Sequence, residues 1–582
     1  MSRSEKNPVP FLPATAEEMR SRGWDYVDII LVTGDAYIDH PSFGIALIGR
    51  LLEDNGYRVA VLSQPRHDSP ESFKIFGPPR LFWGITSGNL DSIVSNYSGN
   101  GKVRDRDDYS PNGNPYFGNI KEKKYRRRPD RATILYTSLA RNAYPGVPVV
   151  LGGIEASLRR FVHFDYQQNK LRASVLTDSK ADLLVYGMGE KAVVEAARRI
   201  ASGLDLHGIQ GTCVRLTAKE MEQAFADNPD NVTLSSWEDI VADKSNFMSA
   251  EIAIDKNARA FSEKILCQKQ QAMWVVQYPQ FPPLATVELD RVYSLPYTRQ
   301  EHPVSRNVPA YQMICHSITI VRGCSGNCSF CAITRHQGPV ITSRSEKSVL
   351  EEAELLSSLK NFKGTITDLG GPTANLFGVE CGKNKCSRHD CLVKGVCPHL
   401  IINEKCFVSL LDKVKDLPRV KHAHVSSGLR MELLLKTPEL LERLLAHHVP
   451  GAMKIAPEHT EDNVLRLMHK QPNVLAAFLE ECNGIASKLR KNIHFTPYFM
   501  SAHPGCTLAD MQAMGAKINT LGLNVRSFQD FTPTPGTLST AMYVSGIDRD
   551  TLKPVFVPSS TKERRLQRHV LETIRKKKGT HK

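Results

Sequence analysis

The stretch RGCSGNCSFCAI, residues 322–333, places three cysteines inside eight residues at the spacing C-x3-C-x2-C, with Phe330 directly before the last. Thiolates suit soft metals, and both a structural zinc and an ordinary electron-transfer cluster take four protein ligands. Three thiols on one short loop leave a coordination place open. The flanks say where the loop sits, because HSITIVRG before it reads as a strand and EKSVLEEAELLSSLK (346–360) after it has helical period. The alternation continues through TITDLGGP (365–372), HAHVSSGLR (422–430), GAMKIAPEH (451–459), NIHFTPYFMSAHPG (492–505) and NVRSFQDFTPTPG (524–536). About six such units predict a partial TIM barrel, (β/α)6, over residues 306–545, with every strand end converging on one face.

Upstream, VDIILVTG (27–34), YRVAVLS (57–63), PVVLGG (148–153) and LLVYG (183–187) are short, apolar, β-branched runs. Helical stretches such as FGIALIGRLLEDNG and EKAVVEAARRIASG follow several of them. Residues 1–210 are therefore expected to form a Rossmann-like doubly wound sheet, giving an α/β protein of two parts. Ligands of such sheets sit beyond the carboxyl ends of strands, where GDAYIDHPSFG, GGIEAS and GMGE fall. Between them, residues 88–131 read as a long irregular insertion, of the kind that is functional or disordered. Residues 211–305 read as a connecting segment and 546–582 as a basic C-terminal tail.

The 582 residues are 41% hydrophobic and 23% charged, and no apolar run approaches the length of a membrane span. The start, MSRSEKNPVPF, has no basic region followed by an apolar one, so a cytoplasmic, reducing location is expected. There, thirteen cysteines are poor disulfide candidates, and clustered ones read as metal or cluster ligands. The net charge of +14 is concentrated in two runs. KEKKYRRRPDR (121–131) holds seven Lys and Arg against two acids, and 562–582 holds nine against two. Each is read as a solvated segment or as a nucleic-acid patch.

The C-x3-C-x2-C loop after the first barrel strand resembles the signature of the radical S-adenosylmethionine (SAM) superfamily. The resemblance implies that Cys324, Cys328 and Cys331 hold three irons of a [4Fe–4S] cluster while SAM chelates the fourth. An electron from the cluster would then cleave SAM to methionine and a 5′-deoxyadenosyl radical that abstracts hydrogen from a substrate. From the residues alone, a zinc knuckle completed by Cys315, His316 or His336 is the competing reading. The resemblance further implies SAM contacts at Gly370 and Gly371 of the glycine turn, through backbone atoms because Pro372 stands where an acidic residue is common. Ser427 and Arg430 take the positions that meet the SAM carboxylate and ribose.

The likeness is closer still to the YgiQ-type radical SAM proteins, carried by SGNLDSIVSNY (87–97), RPDRATILYTS (128–138), VVLGGIEASLRR (149–160), DSKADLLVYGMGE (178–190), GGPTANLFG (370–378), KIAPEHTED (454–462), PYFMSAHPG (497–505) and QDFTPTPGTLSTAMY (529–543). It spans residues of about 25 to 550 and implies an enzyme of unknown substrate, with methylation or methylthiolation of RNA or a small metabolite as the reaction classes and a flavodoxin- or ferredoxin-type reductant. No membrane partner is expected. The amino-terminal sheet resembles a cobalamin-binding-type domain, but the lower-ligand motif D-x-H-x-x-G is absent: YIDHPSFG has His40 with Ile38 and Phe43 where Asp and Gly are required. Cobalamin therefore stays open against a purely structural domain. The competing function is a non-catalytic iron–sulfur or zinc protein that binds a partner or RNA through its basic tail.

A second group, Cys381, Cys386, Cys391 and Cys397, lies within seventeen residues, with Cys406, His389 and His399 nearby. Four thiols can close a zinc site or hold an auxiliary cluster. Cys213, Cys267, Cys482 and Cys506 are isolated and read as buried small hydrophobes. Glu458, His459 and His503 stand at strand ends, as proton relays or as loop hydrogen-bond partners.

Overall fold

The computed structural model describes residues 10–225, 231–259, 262–383, 386, 388 and 390–579. The chain divides into two compact units, one of Met1–Asp239, Glu263–Pro282 and Arg291–Cys315, the other of Ile240–Ser262, Pro283–Asp290 and His316–Lys582. Among the described residues, no helix is long and apolar enough to cross a membrane.

The first unit is built on one nine-stranded sheet. Its strands are β1 (Ile29–Thr33), β2 (Val59–Ser63), β3 (Phe82–Thr86), β4 (Val149–Leu151), β5 (Leu183–Val185), β6 (Thr212–Thr217), β7 (Val232–Leu234), β8 (Leu266–Gln270) and β9 (Met273–Gln277). Strands β2-β1-β3-β4-β5 run parallel in that order, the doubly wound arrangement of flavodoxin-like sheets. Parallel strands covered on both faces are continuously apolar, and all five residues of β1 are buried.

The remaining strands correct the expected domain limits. β6 pairs antiparallel with β5 and β9, β8 pairs antiparallel with β9, and β7 runs parallel to β8. Residues 211–305 thus supply four strands of this sheet instead of a connector, and the boundary at 210 falls inside one folded unit. The central strand β3 has a weak sequence signal because FWGIT is short and contains Gly84. That glycine is needed for packing, since a Cβ there would lie 2.6 Å from Leu31 Cδ2.

The second unit carries six parallel strand positions in chain order. They are β10 (Ser317–Thr319), a broken second strand of β11 (Thr365–Ile366) and β12 (Asp368–Gly370), β13 (His422–Ala423), β14 (Ala452–Glu458), β15 (His494–Ser501) and β16 (Ser527–Asp530). β10 pairs with β12 and β11 with β13, making one arc; β14, β15 and β16 make a second. Among the described residues no ladder joins β13 to β14, where instead Val425 N donates to His448 O at 2.9 Å. Ile318, Ile366, Leu369, Ile455, Phe499 and Met500 fill the core of this unit.

Residues 546–582 are not a free tail. The helix Thr561–Gly579 buries Leu571 and Ile574 in the same core. Its Gln567 takes a hydrogen bond from Ala502 N at 2.8 Å and donates to Cys506 O at 2.6 Å. On the same helix Leu566 stays 44% exposed while Gln567 faces inward. The run 121–131 is solvated only in its first half: Lys121, Lys123 and Lys124 are exposed, whereas Arg126 and Arg128 are buried and Arg131 pairs with Asp165 at 2.6 Å.

Candidate functional site

The cysteine loop leaves the carboxyl end of β10 and is shaped by backbone requirements. Gly323 has φ +78°, and a Cβ there would lie 1.8 Å from Val340 O, so no other residue fits. Asn327 is also left-handed at φ +46°. Ser329 anchors the loop: its N–H donates to Met468 O at 3.0 Å and its hydroxyl to Leu467 O at 2.6 Å, while its carbonyl accepts from Ser539 N at 2.9 Å. Arg549 donates to Ser329 Oγ at 3.1 Å and its other edge meets His469. Burial pulls Arg549 down to about 10 and His469 down to about 2. This anchor comes from residues 546–560, which the sequence marks only as tail, and no local motif announces it.

Arg430 is the dominant charge at the loop. Its Nη1 donates to Cys328 Sγ at 3.2 Å and its Nε to Glu432 Oε1 at 2.8 Å. Asn375 fixes the backbone here, accepting from Arg430 N at 2.9 Å and donating to Arg430 O at 3.0 Å. Burial works against the guanidinium charge, but Glu432, Cys328 and Cys324 more than offset it. Arg430 thus faces Cys328 of the three-cysteine loop, while its expected role lay toward the SAM carboxylate or ribose. Burial raises the Cys324 thiol and pushes Cys331 up to about 12.

The glycine turn follows β12. A Cβ on Gly370 would lie 2.1 Å from Ser427 Oγ and 2.3 Å from Asp368 Oδ2; on Gly371 it would lie 2.5 Å from Val321 O. Ser427 donates its hydroxyl to Asp368, whose Oδ1 also accepts from Ser426 N at 2.7 Å and Ser427 N at 3.0 Å. Thr373 Oγ1 stands 3.6 Å from Cys324 Sγ. The structure therefore brings Gly370 and Asp368 of β12 together with Ser427 from beyond β13. Asp368, Asn375 and Glu432 add to the residues singled out from sequence; a DLGG strand end and the R-x-E spacing are their signals in hindsight.

Glu458 ends β14 in a left-handed conformation, φ +64°. Burial raises its carboxyl, against the charges of Lys470 and Arg430. Its Oε2, with Ser325 Oγ and Asn327 Nδ2 of the loop, is buried without a hydrogen-bond partner among the described residues. Buried polar atoms of this kind cost free energy unless something meets them. His459 and His503 are held neutral by burial, at about 4 and about 3. His503 Nδ1 lies 2.7 Å from Pro504 O and its Nε2 2.7 Å from Ser539 Oγ, and His459 Nε2 lies 3.5 Å from Cys506 Sγ. Both rings are thus tied into loop hydrogen bonds.

In the second cysteine group, Cys381 ends a strand paired with Leu400–Ile402, and Cys397 N donates to Cys391 O at 2.8 Å. Burial, then the neighbouring Cys397, Cys381 and Cys386, push the Cys391 thiol up to about 12. His389 lies outside the described residues. Among the described residues no three His, Cys, Asp or Glu side chains are drawn together as around a single metal ion. Cys213, Cys267, Cys482 and Cys506 are all buried.

A doubly wound sheet in one unit, and in the other a three-thiol loop at the carboxyl ends of parallel strands, define a two-part α/β protein with a thiol-centred site. The chain belongs to the radical SAM N-terminal family, whose model matches residues 11–317. It is 44% identical to a UPF0313 protein of Geobacter sulfurreducens over 97% of this chain and 92% of that one. A UPF0313 protein of Methanosarcina mazei is 42% identical over 95% and 93%. Among solved structures, the radical SAM methyltransferase TsrM from Kitasatospora setae, with cobalamin and a [4Fe–4S] cluster bound, aligns at TM-score 0.49 and 16% identity over 87% of this chain and 76% of its own.

Proposed function

We propose that the chain is a radical SAM enzyme of the YgiQ type, with Cys324, Cys328 and Cys331 as ligands of a [4Fe–4S] cluster and the turn at Gly370, Gly371 and Ser427 as the SAM contact. The observation that carries this reading is the three-thiol loop at the strand ends, with the buried Arg430 cation on Cys328. The residues fit such a group. Three thiols leave one iron for an exchangeable ligand, and the unpartnered atoms of Ser325, Asn327 and Glu458 offer it polar contacts. When bound, the cluster supplies the electron that cleaves SAM and so starts radical chemistry on the substrate.

The chain's own residues do the rest. Arg430 counters thiolate charge, Glu432 keeps Arg430 in place, and Ser329, Arg549 and His469 hold the loop in register. The substrate is proposed to be RNA or a small metabolite that is methylated or methylthiolated, with a flavodoxin- or ferredoxin-type reductant in the cytoplasm. The group Cys381, Cys386, Cys391 and Cys397 is proposed to hold zinc or an auxiliary cluster, and removing all four should lower total bound metal while sparing SAM cleavage.

The test is anaerobic reconstitution with iron and sulfide. A SAM-sensitive [4Fe–4S] signal and 5′-deoxyadenosine on reduction are expected, both abolished in Cys324→Ala, Cys328→Ala and Cys331→Ala. A wild-type protein that binds one zinc at this loop and no iron returns the reading to a zinc or partner-binding protein.

A further inference from the structure

A doubly wound sheet holds its ligand beyond the carboxyl ends of its strands, at the switch point where the strand order reverses. Here that point lies between β1 and β3, beyond Thr33 and Thr86. We infer that this crevice is filled by the chain's own insertion, residues 88–131, with Arg128 as the plug, and that the sheet therefore takes no cobalamin.

Arg128 is 1% exposed. Its Nη2 donates to Asp35 Oδ1 at 2.5 Å and stands 3.4 Å from Asp107 Oδ2, and its Nη1 meets Ser95 Oγ. Both carboxylates lie at or above the switch point, one directly after β1 and one inside the insertion. Two glycines at the strand ends pack closely against the arginine and its partner. A Cβ on Gly34 would lie 2.4 Å from Ser87 O and 2.9 Å from Arg128 Cγ; on Gly88 it would lie 2.1 Å from Asp35 Oδ1. Both strand-end glycines are thus packed against Arg128 or its carboxylate partner Asp35.

The neighbouring strand ends are bound to the same insertion. Beyond β2, Gln64 Nε2 donates to Gly34 O at 3.0 Å and to Ser110 Oγ at 2.8 Å. Ser110 in turn donates to Asp107 Oδ2 at 2.7 Å. Ala36 N donates to Tyr109 O at 2.9 Å, and Asn89 N to Asp35 Oδ2 at 2.7 Å. Beyond β4, the carboxylate of Glu155 accepts from Ser92 N at 2.8 Å, Ser92 Oγ, Thr133 N at 3.1 Å and Thr133 Oγ1 at 2.6 Å. Four bonds match the accepting capacity of a carboxylate, so Glu155 has no lone pair left for a ligand.

His40, the one residue of the lower-ligand motif, is 1% exposed, with Nδ1 accepting from Ser42 N at 3.1 Å and Nε2 3.3 Å from Arg299 Nη1. Displacing the plug would leave Asp35 and Asp107 as buried carboxylates without their cation, which is strongly unfavourable. Asp35, His40 and Glu155, in two of the loops that sequence marks as ligand-facing, are thus already satisfied from within, and the insertion is neither a lid nor disordered.

The test uses the full-length protein and hydroxocobalamin in molar excess, followed by desalting, a visible spectrum and amide hydrogen exchange. No corrin is expected to co-elute, and the Ala36 and Asn89 amides should exchange slowly and equally with and without hydroxocobalamin. Equimolar corrin in the protein fraction would overturn the inference. So would exchange of those two amides as fast as in exposed loops, because the plug would then leave the crevice freely.

Discussion

The Arg430 guanidinium stands 3.2 Å from Cys328 Sγ while its Nε is bonded to Glu432 at 2.8 Å, so one buried cation serves a loop thiol and a carboxylate at once. Replacing Arg430 alone leaves Glu432 as a buried, unpaired charge, which typically costs about 3–5 kcal/mol. Arg430→Met should therefore lower the urea midpoint markedly. The double variant Arg430→Met with Glu432→Leu removes both charges and should recover most of that stability. It should still cleave SAM at least about tenfold more slowly, a barrier change of about 1.4 kcal/mol. Full SAM cleavage by the double variant would reduce Arg430 to a structural ion pair.

Glu458 offers a cleaner separation of stability from activity. A non-glycine residue in the left-handed region costs roughly 1–2 kcal/mol, and strain of this sort persists where function requires the side chain. Glu458→Gly removes the strain at φ +64° together with the unpartnered carboxylate oxygen. Its melting temperature is expected to be unchanged or higher, with SAM cleavage abolished. A Glu458→Gly protein that is both destabilised and fully active would mean that the carboxylate only supports the loop.

Much of this was legible in the sequence because it rests on local pattern. The strand and helix alternation from residue 316 onward, and the cysteine spacing, correspond to the observed β10–β16 and loop. Other features depend on contacts between distant residues. β3 is hidden by Gly84, whose value lies in making room for Leu31. The charge of RRR at 126–128 suggested solvent or phosphate, yet Arg128 is neutralised by Asp35, 93 residues earlier. Arg549 reaches Ser329 across 220 residues, so it could not be read from either segment alone.

His448 bridges the gap between the two arcs of the second unit, with Nδ1 2.7 Å from Ala423 O and its own carbonyl accepting from Val425 N. Burial lowers its ring to about 4 from an ordinary value near 6.5. The folded value is depressed, so the neutral ring is favoured by the fold. Its contribution to stability is then full above about pH 6.5 and is lost progressively toward pH 4, by up to about 1.4 kcal/mol per pH unit. Wild type should lose melting temperature over that window, and His448→Gln should lose less of it. Parallel melting curves for the two proteins between those pH values would assign the effect to other histidines.

The helix Thr561–Gly579 carries both apolar contacts and a basic run, and substitutions can separate them. Leu571 is fully buried in the core of the second unit, and truncating such a leucine typically costs roughly 2–5 kcal/mol. Leu571→Ala should lower the urea midpoint accordingly and leave any binding of single-stranded RNA with the same dependence on salt. The charges Arg575, Lys576, Lys577 and Lys578 are the ones to neutralise for the RNA question. If they meet phosphates, converting all four to Gln should flatten the plot of log affinity against log salt by about 0.7 for each phosphate no longer neutralised, with the urea midpoint unchanged. Deleting residues 562–582 altogether confounds the two effects, because it removes Gln567 from Ala502 and Cys506 as well as the charges. An intact protein with no measurable affinity for RNA at low salt would leave the helix as a packing element and direct the substrate search to small metabolites.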